Sequence, residues 1–113
     1  MELLFAGLPV RDFQAALAWY SRLFDRDPDV VAHDHEVMWR VADTGWVYIV
    51  KDDARAGNGL AAILVTDLDA AVADLEMRGI SAGPIEKEGD AERKATAADP
   101  DGNSIALIQV TGR

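Results

Sequence analysis

The sequence has no cysteine. Disulfide staples, thiolate nucleophiles and cysteine-held zinc or iron–sulfur centres are thereby excluded. No apolar run approaches the ~20 residues of a bilayer span. The opening stretch, Met1-Glu2-Leu3-Leu4-Phe5-Ala6, has no basic region and too short an apolar run for a signal peptide. A soluble, cytoplasmic protein is the default expectation. P-loop and GxGxxG motifs are missing. Ser21, Ser81 and Ser104 carry no neighbouring signature of a serine–histidine–acid triad. Positive charge is also scarce, with Lys+Arg at 11 against Asp+Glu at 20 and a net charge of −9. An acidic surface repels phosphate backbones, so neither nucleic acid nor an anionic membrane is an expected partner. The same charge steers cationic ligands inward, or serves solubility alone; both readings stand.

What is present is an ordinary globular balance, 50% hydrophobic and 27% charged over 113 residues. A chain this long buries roughly two-thirds of its unfolded surface, enough for a core without staples. One domain over 1–113 is expected, and it is internally repeated. Val10 to Ala18 (VRDFQAALA) aligns with Val65 to Ala73 (VTDLDAAVA), with Val, Asp and three Ala shared. Unit one covers 1–55 and unit two 56–113, linked around Arg55 to Gly59.

The surroundings of the two copies agree. Each opens on an apolar run, Leu3 to Val10 and Leu60 to Val65, and each run meets an aspartate, Asp12 or Asp67. Aspartate at that point predicts a helix N-cap, because its carboxylate accepts from an orphan helix N–H. Helical spacing follows at Phe13, Ala16, Leu17, Tyr20 and Phe24, and again at Leu68, Ala71, Val72 and Leu75. Gly79 suits the C′ position of the second helix, with Ile80 packing back. Trp19 is placed at a subunit surface. The period then falls to two. Unit one predicts strands over Val30 to His33, Val37 to Val41 and Trp46 to Lys51. Unit two predicts them over Ala82 to Glu86, Arg93 to Ala98 and Ser104 to Val110. The turn Asp99-Pro100-Asp101-Gly102-Asn103 precedes the last strand. The fold class is therefore α+β: two β-α-β-β-β units whose curved mixed sheet surrounds a cleft, with the helices outside.

These paired units, the V-x-D helix starts with Trp19-Tyr20, and the D-P-D-G-N turn together resemble the vicinal oxygen chelate superfamily of glyoxalases, extradiol dioxygenases and bleomycin-resistance proteins. The resemblance covers nearly the whole chain and implies a ligand cleft, often a homodimer, and in the enzymes a divalent metal. Family metal ligands, usually His, Gln or Glu, come from the first and last strands of each unit. The resemblance carries those positions onto Phe5, Tyr48, Leu60 and Ala106. Three of the four have no donor, and neutral tyrosine is a poor ligand. The expectation is no metal, no cofactor and no chemistry by the family's metal mechanism.

Other candidates are weaker. His33 and His35 are the only histidines, and H-x-H on a strand would set both rings on one face. They are read as solvated, with a metal site formed with a carboxylate as the alternative. That alternative belongs to a divergent lyase, isomerase or dioxygenase. Asp25, Asp27 and Asp29 lack the glycine and closing glutamate of a calcium loop. Glu86, Glu88, Asp90 and Glu92 alternate with Lys87, Arg93 and Lys94 as a charged hairpin. The aromatics Trp39, Trp46 and Tyr48 crowd one hairpin. Trp46 and Tyr48 share a face opposite Val47 and Ile49, while the face of Trp39 is ambiguous. Two readings stand, core or dimer contacts and ligand stacking. The functional expectation is a metal-free protein of the bleomycin-resistance type. It would sequester a flat small molecule, neutral or cationic, against Trp46, Tyr48 and Trp39, with Phe5, Leu60 and Ala106 lining the floor.

Overall fold

Alternating burial along the strands and caps at both helix starts organise ten elements. The computed structural model describes residues 1–111, with Glu88 described by its backbone alone. The first half forms β1 (Leu4–Val10), α1 (Phe13–Phe24), β2 (Val30–His33), β3 (Glu36–Ala42) and β4 (Gly45–Lys51). The second forms β5 (Leu60–Leu64), α2 (Leu68–Met77), β6 (Glu86–Glu88), β7 (Glu92–Ala98) and β8 (Ser104–Val110). These make two four-stranded sheets of one plan, β1-β4-β3-β2 and β5-β8-β7-β6. In each, the first strand runs parallel to the last, and the remaining pairs are antiparallel. The sheets are mixed and do not close into a barrel. The repeat extends to register: Phe5 pairs with Trp46 as Leu60 pairs with Ser104.

The caps form as the sequence predicts. Asp12 accepts from Ala15 N–H and Asp67 from Ala70 N–H, each at 3.1 Å. α1 stops at Asp25 in the left-handed region, φ 56°. α2 stops at Gly79, φ 82°, where Ile80 N–H bonds back to Leu75 C=O at 2.9 Å and the Ile80 side chain enters the core. Two local expectations are corrected. The strand expected over Ala82 to Glu86 lies instead at Glu86–Glu88. Pro84 has no N–H to give a ladder, so regular pairing resumes beyond it. Trp19 is 7% exposed rather than at the surface, its ring edge-on to Tyr20 at 4.8 Å.

In β1, β3, β4, β7 and β8, alternate residues face the helices. Leu8, Val10, Val37, Trp39, Val47 and Ile49 do so in unit one, and Ala95, Ala97, Ile105 and Leu107 in unit two. The buried residues of both units form one continuous cluster. The Asp99–Asn103 turn holds the units together. Asp99 Oδ1 accepts from the backbone N–H groups of Asp101 and Asn103, both at 2.9 Å. Its Oδ2 accepts from the Tyr20 hydroxyl at 2.7 Å and Asn103 Nδ2 at 2.8 Å. Fully buried Asn103 accepts from Gly59 N–H at 2.6 Å and donates to Pro9 C=O at 2.8 Å. One turn thus ties α1, the end of β1 and the start of β5.

Candidate functional site

With the helices on one side, each sheet leaves its other face open. In unit one that face carries Phe5, Gly7 and Pro9 from β1 and Trp46, Tyr48 and Val50 from β4, because they alternate with buried Leu8, Val10, Val47 and Ile49. The rings of Phe5 and Trp46 lie 6.0 Å apart and tilted by 30°, as their direct cross-strand pairing requires. Tyr48 faces Gly7 across the same ladder, and its ring lies over the glycine backbone. A Cβ there would come within 2.3 Å of the ring. Beside Tyr48 a hollow of about 300 Å³ is walled by Pro9 and Val50 and closed by Asp52, Arg55 and Asn58 of the inter-unit link.

The open face of unit two is less aromatic. Leu60, Ala62, Ala106 and Ile108 form an apolar strip, flanked by Glu92, Lys94 and Thr96 of β7 and by Ser104, around a shallow hollow of about 510 Å³. Leu60 is 83% exposed and Phe5 46% exposed, and Leu64 is also exposed.

The expected site residues divide accordingly. Phe5, Trp46 and Tyr48 share the face of sheet one; Leu60 and Ala106 share that of sheet two. The single cleft anticipated for one chain is instead two open faces: Tyr48 lines one hollow, Leu60 and Ala106 the other. Trp39 belongs to neither. It is fully buried, donates its indole N–H to Arg26 C=O at 3.0 Å, and packs against the rings of Tyr20 and Phe24 at 6.1 and 5.4 Å. Pairing with Val47 puts Trp39 on the helix side, which resolves the ambiguity left by the sequence. Sequence reasoning missed the link residues Asp52, Arg55 and Asn58. Their signal was position: they follow β4 directly, and β4 neighbours β1 in parallel.

The electrostatics of the link are local. Arg55 holds the Asp52 carboxyl below the usual carboxylate range through its side-chain hydrogen bond, 2.7 Å from Nε to Oδ2, despite some desolvation. Asp29, which accepts from Arg26 and from Arg40 N–H, is lowered in the same way. Burial pushes the Tyr20 hydroxyl far above its ordinary value, and its hydrogen bond to Asp99 adds to this. His33 ends β2, and His35 lies in the tight β2–β3 turn. His33 lies 3.8 Å from Glu36, while the His35 ring packs edge-on against Phe13. Among the described residues, no three His, Asp or Glu side chains gather to hold a metal. Phe5, Tyr48, Leu60 and Ala106 do occupy equivalent places on the two open faces, but a phenol and three hydrocarbon side chains do not fit a divalent cation.

The comparisons with known proteins agree with this architecture. The family model described as the glyoxalase/bleomycin resistance protein/dioxygenase superfamily matches residues 3–107. No curated protein matches. Among solved structures, a glyoxalase/bleomycin resistance protein from Catenulispora acidiphila DSM 44928 is similar at 38% identity and a TM-score of 0.91, covering 97% of this chain and 99% of the other. TnmS3, an antibiotic binding protein from Streptomyces sp. CB03234, shares the fold at 21% identity and a TM-score of 0.76, covering 98% and 97%. So does the bleomycin-binding protein from Streptomyces verticillus, complexed with copper(II)-bleomycin, at 19% identity and a TM-score of 0.77, covering 95% and 94%.

Proposed function

The chain belongs to the glyoxalase/bleomycin resistance protein/dioxygenase superfamily, and from that membership we propose that it is a metal-free binding protein for a flat aromatic small molecule, neutral or cationic. The observation that carries the reading is the aromatic wall of Phe5, Trp46 and Tyr48 on the open face of sheet one. Three rings on one face stack a planar ligand, and a chain of net charge −9 attracts a cation to them. No bond is made or broken; the ligand is sequestered. Metal-independence rests on the donor chemistry of Phe5, Tyr48, Leu60 and Ala106. The binding and resistance functions named for similar structures are consistent with this.

Each chain presents half of a cleft, so the reading includes a homodimer in which a second copy covers the exposed apolar residues Phe5, Leu60 and Leu64. We place this dimer in the cytoplasm. Trp19 and Trp39 are buried, so a ligand on the open face quenches the fluorescence of Trp46 alone. A quenching screen with planar and cationic metabolites tests this. Trp46→Ala is expected to weaken binding of any hit by ~1–3 kcal/mol. Unchanged affinity removes Trp46 from the site. Metal analysis of untagged protein decides the chemistry: about one bound Mn, Fe, Co, Ni or Zn per chain overturns metal-independence in favour of a divergent metalloenzyme.

A further inference from the structure

On the helix side, away from both open faces, α1 and α2 leave a groove of about 240 Å³ between the two units. Its floor is apolar, built from Leu23 and Phe24 of unit one and Ile63, Leu75 and Leu107 of unit two. Arg26, Arg78 and Asp74 stand at its edge. Arg26 is already engaged, paired with Asp29 at 2.9 Å and donating to Arg40 C=O. Arg78 is not. Its Nε and Nη2 donate to Arg22 C=O at 2.6 Å and Leu23 C=O at 3.1 Å, but it joins no ion pair among the described residues. A guanidinium has five N–H donors, so Arg78 retains donors for a carboxylate. Asp74 is exposed and likewise joins no ion pair among the described residues. It lies four residues earlier on α2, which places it one turn along the same helix face.

We propose that this groove binds a small zwitterion with an apolar side chain, the chemistry of a free aliphatic or aromatic α-amino acid. Arg78 takes the carboxylate, Asp74 the ammonium group, and the apolar floor the side chain. A plain fatty carboxylate would bring its charge beside Asp74, and a plain amine would bring its charge beside Arg78. The volume falls below the ~300–1,000 Å³ of drug-sized sites, so the occupant is small. Because the floor draws on both units, occupancy stabilises their packing and raises the melting temperature. This site stands apart from the aromatic face.

Calorimetry and thermal shift with L-leucine and L-phenylalanine test it, with isovalerate and isoamylamine as single-charge controls. The expected result is saturable amino-acid binding, weaker by about tenfold or more for both controls and for Asp74→Asn. Ala71→Leu, which fills the groove, abolishes it; Trp46→Ala leaves it unchanged. Arg78→Gln also removes the bonds that cap α1, so Asp74→Asn is the cleaner variant. No saturable binding of either amino acid overturns the proposal. So does equal binding of isovalerate, or binding that survives Ala71→Leu and disappears in Trp46→Ala.

Discussion

Tyr20 fills the core of unit one and donates its hydroxyl proton to Asp99 of unit two. Tyr20→Phe keeps the ring but takes one donor from a carboxylate that is 5% exposed. The expected loss is ~1–3 kcal/mol in urea denaturation at neutral pH. The folded Tyr20 hydroxyl titrates above its unfolded value, so its contribution is complete below about pH 10 and lost as pH rises past that. The variant therefore also loses less stability on the alkaline side than the wild type. Asp29 behaves in the opposite sense. Its folded carboxyl lies below the unfolded value of about 4, so its contribution is complete above that range and lost as pH falls through the depressed value. Arg26→Met is expected to return the Asp29 titration toward the ordinary range, read by NMR of its carboxyl carbon. An unshifted titration would show that Arg26 is not the main cause.

Strand β4 shows at the level of an element how period two divides labour. Val47 and Ile49 bind the helices, while Trp46 and Tyr48 are left open. Its partner β1 has glycine at position 7, where a Cβ would fit only if the far end of the Tyr48 ring moved. Gly7→Ala is expected to cost about 1 kcal/mol, the low end for an added carbon, because the far end of the Tyr48 ring can swing away. Ligand affinity falls more than stability does, since the displaced ring leaves the aromatic wall. Thermal shift beside a binding titration reads the two effects separately; unaltered affinity would remove Tyr48 from the site. Element types and most boundaries were legible in the sequence because caps and periodicity are local. Trp39 was not, because its face depends on which β4 residue it opposes, a matter of register. The second strand of unit two, β6, slipped because Pro84 interrupts an otherwise strand-like run.

For the whole molecule, the apolar open faces are the main unpartnered feature. A second copy across Leu60 and Phe5 would bury them and enclose a cleft. The wild type is then expected to sediment as a two-chain species at micromolar concentration. Leu60→Glu would give a particle near the single-chain mass of 12.2 kDa, because burying a charge in that apolar strip carries a desolvation penalty. A wild-type protein that sediments as one chain at that concentration would remove the homodimer. Ligand binding should weaken with Leu60→Glu as well, although residue 60 lies on the other sheet from the aromatic wall.

The sequence by itself determined the repeat, the capped helices and the D-P-D-G-N turn. All of these are encoded within a few residues or in residue chemistry alone. Only the tertiary structure decided that Trp39 is core, that the turn clamps α1 and β1, and that the candidate residues divide between two open faces. It also decided that Arg78 reaches across to α1 beside an apolar groove. Each of these depends on contacts between residues from 8 to 94 positions apart, set by strand register and by how one unit packs against the other.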